Sequence, residues 1–388
     1  MKVLKLKLKS IFGSEQSSGV ILIICVIFSL LIANSSAGEL FAELLAHPFG
    51  FESLHLQYSL ATWINDGLMA VFFLLVGLEI KREILEGELS DIKKASLPIF
   101  AAIGGMLVPA LIYFAINHDT EYHAGWGIPM ATDIAFSLAI LSLLGKRVPI
   151  SLKVFLAALA IVDDLGAILV IAIFYTTSLH WLYLGYCLAI VVLLIILNLK
   201  KVSQPIFYII PGLLLWYFMH HSGIHATIAG VILAFCIPNK TNRGSLLKRI
   251  EHSLHKPVSY FIMPVFAFAN TNIMIDPQVF NNFFNPLSYG IMGGLIFGKF
   301  IGISLFSYIA IKLQLSSLPE RSNWNSIFGV ALLAGIGFTM SIFLAILSFP
   351  GHVDYQNEAK VAILLASLIS GVAGFFLLKV NLDKAKNN

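Results

Sequence analysis

The sequence predicts an all-α polytopic membrane protein of twelve transmembrane helices, two of them (spans 4 and 11) discontinuous. Three observations carry that expectation. Of 388 residues, 58% are hydrophobic and only 12% are charged, against about 25% charged in soluble domains. The apolar residues come in blocks near the ~20 residues that cross a bilayer as a helix, without the ~10-residue alternation of a β-barrel. The basic residues gather in alternate loops, and the few charges inside apolar blocks stand close to glycine or proline. An ordinary globular enzyme and a disordered chain are both excluded.

The spans are expected at roughly 19–33, 60–80, 95–116, 124–144, 152–175, 181–199, 205–219, 223–237, 258–272, 288–311, 326–349 and 359–379. Lys2, Lys5, Lys7 and Lys9 precede the first, a pattern shared with signal peptides. In a chain that is apolar throughout, that stretch reads as an uncleaved first span. The N-terminal tail, every second loop and the C-terminal tail hold all but two of the 25 basic residues. The opposite loops hold Glu39, Glu43, Glu52, Asp119, Glu121, Asp276 and Asp354, with Lys360 their only base. Cytoplasmic loops carry the Lys/Arg excess, so both termini are expected in the cytoplasm, in agreement with an even number of spans. The net charge of +4 points to no particular partner, and no nucleic-acid partner is expected.

Within this frame the chain is organised around Ala160-Ile161-Val162-Asp163-Asp164-Leu165-Gly166, two adjacent aspartates in a long apolar run. An ionised Asp at mid-bilayer costs at least ~2.5–3.5 kcal/mol and usually faces a cavity, an ion or a partner charge. Asp133, in Pro129-Met130-Ala131-Thr132-Asp133, lies one span earlier. Lys299, the other base outside the basic loops, sits about ten residues from either end of span 10. Snorkelling to an interface is a long reach from there, so a carboxylate partner is expected. Asp163 and Asp164 differ by about 100° around a helix; one is expected to meet an ion directly and the other a partner such as Lys299.

Span 4 contains Gly127, Pro129, Thr132 and Asp133, and span 11 contains Gly335-Ile336-Gly337-Phe338-Thr339. Both read as broken helices, because unwound backbone at membrane depth is tolerated only where it is buried or lines a cavity. Paired interrupted segments in two halves of a chain mark a transporter site. Spans 3–5 and 10–12 start from opposite sides, so a repeat between roughly 95–175 and 288–379 is inverted. Its sequence support is limited to Ile103-Gly104-Gly105-Met106 beside Met292-Gly293-Gly294-Leu295. A hard cation takes oxygen ligands: the carboxylates, the Thr132 hydroxyl and carbonyls of the unwound turns. Protons compete for the same oxygens, which is itself an exchange mechanism. Asp133 suits exposed positive half-helix ends and Lys299 negative ones.

The sequence holds no GxxxxGK[ST] phosphate loop, HExxH or CxxC pattern, so no nucleotide-driven pump, transition-metal site or cofactor is expected. Cys25, Cys187 and Cys236 lie in separate spans and read as inert packing residues.

Several strings resemble the NhaA family of bacterial sodium/proton antiporters, over nearly the whole chain: Phe72-Phe73-Leu74-Leu75-Val76-Gly77-Leu78-Glu79, Ala131-Thr132-Asp133-Ile134-Ala135-Phe136, the Asp163-Asp164 run, His225-Ala226-Thr227, Phe266-Ala267-Phe268-Ala269-Asn270 and Gly335-Ile336-Gly337-Phe338-Thr339-Met340-Ser341. The resemblance implies that sodium or lithium leaves as two protons enter, electrogenically, across the bacterial inner membrane, with activation at alkaline pH. It implies that discontinuous helices 4 and 11 cross, and that a cytoplasmic funnel leads to Asp163 and Asp164. By the same resemblance Asp163 and Asp164 hold ion and proton with Thr132 close by, Asp133 and Lys299 compensate helix dipoles, and Lys299 forms a releasable salt bridge with Asp163. The pH response falls on Glu79, Arg82, Glu83, His225, Glu251, His252 and His255. Read from the residues alone, Arg82, Glu83 and Glu251 form a solvated face, and His225 is a hydrogen-bonded packing residue. Asp66, near an outer helix end, reads as a cap. The outer loop 45–58, with Pro48, Gly50 and the alternating Leu54-His55-Leu56-Gln57-Tyr58, is expected to form a hairpin that joins two protomers into a homodimer.

Two rival readings remain at this stage. An intramembrane aspartyl protease would carry Tyr-Asp and Gly-x-Gly-Asp motifs in separate spans, which are missing. A cation channel would carry a repeated filter segment, also missing, and its flux would need no counter-movement of protons.

Overall fold

The computed structural model describes residues 15–176, 179–274 and 284–387. The N-terminal lysines, Asp276 and the side chains of Lys146, Lys386 and Leu54 lie outside the described residues. The described chain is almost entirely helical and divides into two units by contact. The first comprises Met1–Ile27, Glu88–Ala167 and Ile273–Asn388, and the second Phe28–Gly87 and Ile168–Asn272.

Among the described residues, six helices are long and apolar enough to cross a membrane: Ile92–Asn117, His123–Leu143, Ile150–Phe174, Trp181–Leu199, Pro286–Lys312 and Val353–Lys384. Two bent pairs raise the number to eight: Ser17–Ala33 with Gly38–Ala46, at 110°, and Trp324–Ala334 with Phe338–Ser348, at 44°. Three of the four other expected spans fall short for visible reasons. Met69–Glu86 ends in Glu79, Lys81, Arg82, Glu83 and Glu86, Ile206–Ser222 has only 17 residues, and Ile228–Cys236 only nine.

In the first unit, Ile92–Asn117 packs along Lys299–Lys312 through facing glycines. A Cβ on Gly302 would collide with the Gly104 carbonyl oxygen, and one on Gly104 with that of Gly302. Small residues of this kind let membrane helices approach closely. Lys299 follows directly on a π-helical stretch, Gly293–Gly298, an irregularity frequent at functional sites.

In the second unit Pro48–Phe51 pairs antiparallel with Leu56–Ser59, with Phe49 opposite Tyr58 and Gly50 opposite Gln57. Gly50 has φ +132°, where a side chain would strike the Leu56 carbonyl. The hairpin is tied down by the Trp63 indole N–H, which donates to the Phe49 carbonyl at 2.8 Å. Cys187 and Cys236 are buried among the apolar side chains of this unit, in keeping with a packing role.

The glycine contact yields a first prediction. Gly302→Val overpacks the helix pair and lowers stability by about 1–3 kcal/mol, read as a lower thermal midpoint of the purified protein, whereas Gly302→Ala has a smaller effect.

Candidate functional site

Two breaks in the first unit meet. The 3₁₀ stretch His123–Met130, with Pro129 in its last turn, gives way to extended residues 131–133, and a helix resumes at Ile134–Leu143. Trp324–Ala334 stops at Gly335, and Phe338–Ser348 resumes after Gly337. The Asp133 backbone N–H donates to the Ile336 carbonyl at 2.7 Å, joining one break to the other. Gly335 is required here, since a Cβ would press on the Leu295 carbonyl oxygen. A Cβ on Gly337 would collide with the Ser341 hydroxyl, and one on Gly294 with the Pro129 ring.

Each broken helix leaves N–H groups and carbonyls without intrahelical partners, and named side chains take them. The Asp133 carboxylate accepts from the Phe136 N–H at 2.9 Å with one oxygen. Its other oxygen accepts from the Thr339 N–H at 3.2 Å and the Thr339 hydroxyl at 2.5 Å. One carboxylate therefore caps the starts of both second half-helices, where negative charge is favoured. The carbonyl ends are met by hydroxyls: Ser137 donates to the Leu333 carbonyl at 2.9 Å and Ser341 to the Ile128 carbonyl at 2.7 Å. The Phe338 N–H donates to Ser367 Oγ at 3.1 Å.

Beside this crossing of hydrogen bonds stand the remaining charges, all of them buried. Asp163 is fully buried on Ile150–Phe174, and Lys299 Nζ is bonded to its Oδ2. The Thr132 hydroxyl stands 2.7 Å from the same Oδ2 and 2.8 Å from the Ala334 carbonyl oxygen. Its single proton serves one of these acceptors at a time. The other Asp163 oxygen, Oδ1, has no hydrogen-bond partner among the described residues. Asp164 is 1% exposed, and its charge acts on Lys299 as well. Asp133, Thr132, Asp163, Asp164 and Lys299 are thus all sealed from water in one unit. Lys299 meets a carboxylate, and hydroxyls meet the helix-end carbonyls. Sequence reasoning did not single out Ser137, Ser341 or Ser367, because a serine in an apolar helix reads the same whether it bonds its own turn or a neighbour's.

The pH-associated residues divide. Arg82 bonds Glu83 at 2.7 Å and Glu251 at 2.8 Å, and the charge of Glu79 interacts with all three. Burial opposes the Arg82 charge, but its hydrogen bond to Glu251 and the surrounding carboxylates hold its pKa above the ordinary value. His252 and His255 are exposed on the same helix as Glu251, Leu246–Pro257, and form no ion pair among the described residues. His225 stands apart from this group and interacts electrostatically with Asp66 and His220. Asp66 Oδ2 lies 3.4 Å from His220 Nδ1. Two further contacts escaped the sequence. The Lys81 ammonium donates to the carbonyls of Phe235 and Ile237, at 2.7 and 2.5 Å, closing the end of Ile228–Cys236. Glu86 meets Lys248 at 2.5 Å and Asn239 at 2.6 Å, which hold its carboxyl below the ordinary range. That contribution is present above the unfolded value and is lost as pH falls through the lower folded one.

The serine contacts generate a second prediction. Ser137→Ala and Ser341→Ala each leave a buried carbonyl unmet, at about 1–3 kcal/mol of unfolding free energy. Ser348→Ala costs less in the same denaturation measurement, because the Ser348 hydroxyl bonds the Leu344 carbonyl of its own helix.

The chain is similar to known proteins along most of its length. The family described as Na+/H+ antiporter 1 matches residues 9–378. A Na(+)/H(+) antiporter NhaA 2 of Flavobacterium johnsoniae is 54% identical over 97% of this chain and 93% of its own length. A Na(+)/H(+) antiporter NhaA of Dechloromonas aromatica is 50% identical over 95% and 94%, and one of Escherichia coli 48% over 96% and 97%. Matched along nearly its whole length, the chain belongs to the Na+/H+ antiporter 1 family, a family of membrane antiporters and not of enzymes.

Proposed function

We propose that this protein exchanges sodium or lithium for protons, electrogenically, at two protons per sodium ion, with Asp163, Asp164 and Thr132 as the ion and proton site. The observation that carries this reading is one oxygen with two claimants: Lys299 Nζ and the Thr132 hydroxyl both bond Asp163 Oδ2. A hard cation bound by carboxylate oxygens competes with Lys299 for that atom, so cation entry releases the salt bridge. When Asp163 is protonated, its O–H donates to Thr132, which donates in turn to the Ala334 carbonyl, and no oxygen along that chain lacks a partner. Sodium-bound and proton-bound states are then alternatives at one site, which is the requirement for obligate exchange. Inward movement of two protons for one outgoing sodium carries one net positive charge into the cell.

Asp133 serves the crossing as compensation for half-helix ends and contributes to the site, and Lys299 balances the buried carboxylates. The surrounding architecture in this reading is twelve spans with both termini cytoplasmic, in the bacterial inner membrane. Its inverted units lie at about 95–175 and 288–379, with discontinuous helices 4 and 11 crossing. The hairpin joins two protomers, an arrangement supported by the 68% and 69% exposure of Phe49 and Phe51. Activation at alkaline pH is assigned to Glu79, Arg82, Glu83, Glu251, His252 and His255, with His225 acting through Asp66. The bonds from Arg82 to Glu251 support the first group by tying the helix that carries both histidines to Met69–Glu86.

In reconstituted vesicles with an imposed pH gradient, sodium and lithium dissipate the gradient and potassium does not. Asp163→Asn or Asp164→Asn abolishes this response while the protein still folds; full exchange by either variant refutes the assignment. Replacing His252 and His255 together by Ala shifts the pH at which exchange switches on, and an unmoved activation curve removes them from the sensing group.

A further inference from the structure

The first unit carries an apolar groove of about 520 Å³ on an exposed face. Ile23 and Ile27 form one wall, while Leu368, Val372 and Phe376 of Val353–Asn387 form the other. All five are 41–63% exposed, so the groove is open laterally. Its floor is Phe136 and Phe338, whose rings meet edge-on at 5.6 Å. These two residues belong to the first turns of the second half-helices, directly after the two breaks. The one hydroxyl in the lining, Ser367 Oγ, already accepts the Phe338 N–H at 3.1 Å. A polar occupant would leave its own groups unmet here, whereas a hydrocarbon chain would not.

Length and charge narrow the occupant further. The helix lines the groove from Leu364 to Phe376, which at 1.5 Å per residue is about 18 Å. That is nearer to one leaflet, ~15 Å, than to the whole ~30 Å hydrocarbon core. Lys379 follows Phe375 and Phe376 by four and three residues, on the same face of the helix. It is exposed and makes no ion pair or hydrogen bond among the described residues. The nearest acid along the helix, Asp383, is held by Arg147 at 2.8 Å.

We infer that this groove binds one acyl chain of an anionic phospholipid from the leaflet on the Lys379 side, with the headgroup phosphate on Lys379. The chain's tail touches the starts of both second half-helices, so lipid occupancy bears on the crossing itself. The inference rests on the membrane-spanning fold and not on which ions are exchanged.

The test counts bound lipid by native mass spectrometry on delipidated, purified protein. The protein is offered equal amounts of phosphatidylglycerol and phosphatidylcholine with identical acyl chains. The wild type retains phosphatidylglycerol in preference. Lys379→Gln reduces that preference about fivefold, as expected for loss of one lysine at the membrane surface. Gly371→Leu, whose Cβ would stand 3.0 Å from Ile140 Cδ1, fills the groove and removes the retained lipid. Val372→Trp does the same from a position that is 47% exposed, so the result does not depend on tolerance of a buried change. Three outcomes would each overturn the inference: equal lipid counts in wild type and both filled variants, indifference of the wild type to headgroup, or an unchanged preference in Lys379→Gln.

Discussion

An unwound backbone inside an apolar interior must find every hydrogen-bond partner within the protein, and the first unit is built around that constraint. Water is not available to meet the ends of a broken helix at this depth. The chain answers with reciprocity: each break supplies what the other lacks. Asp133 N–H closes on Ile336 O, the Asp133 carboxylate caps Phe136 and Thr339 together, and Ser137 and Ser341 reach across to Leu333 and Ile128. Neither broken segment is satisfied alone, so the two form one structural piece.

That arrangement sets the terms for the buried charges. Hydroxyls occupy the carbonyl ends, and Lys299 is left to bond Asp163. An ion pair wholly removed from water is held by geometry and by its hydrogen bonds more than by net stability, because desolvation offsets most of the Coulomb attraction. In the exchange proposed above, this pair opens when a cation takes the carboxylate. The other oxygen of that carboxylate, Oδ1, has no hydrogen-bond partner among the described residues.

Much of the first unit was legible beforehand because its signals are local. Charge in an apolar run is costly wherever it falls, so Asp133, Asp163, Asp164 and Lys299 stood out from composition alone, and the structure buries all four. Glycine and proline mark backbone irregularity regardless of neighbours, and the structure interrupts its helices at residues 131–133 and 335–337. The hydroxyl partners were not legible. Thr339, Ser137, Ser341 and Ser367 are common membrane-helix residues whose roles depend on which carbonyl or N–H a distant segment presents. Asp66 read as a cap because sequence spacing could not reveal that His220, 154 positions later, faces it. The same limit hid Lys81, which closes the end of a helix more than 150 residues downstream.

The sequence by itself determined that the chain lives in a membrane, which residues bear charge inside it, where the helices must break and to which family it belongs. The first three follow from the cost of transferring each residue type out of water and from local backbone freedom, both of which are properties of short stretches; the family follows from matched strings of residues. Only the tertiary structure decided the remaining pairings: one aspartate with two helix starts, serines with the opposite break, and an apolar groove floored by Phe136 and Phe338. Pairing is a property of distance between segments remote along the chain, and no residue type carries the address of its partner.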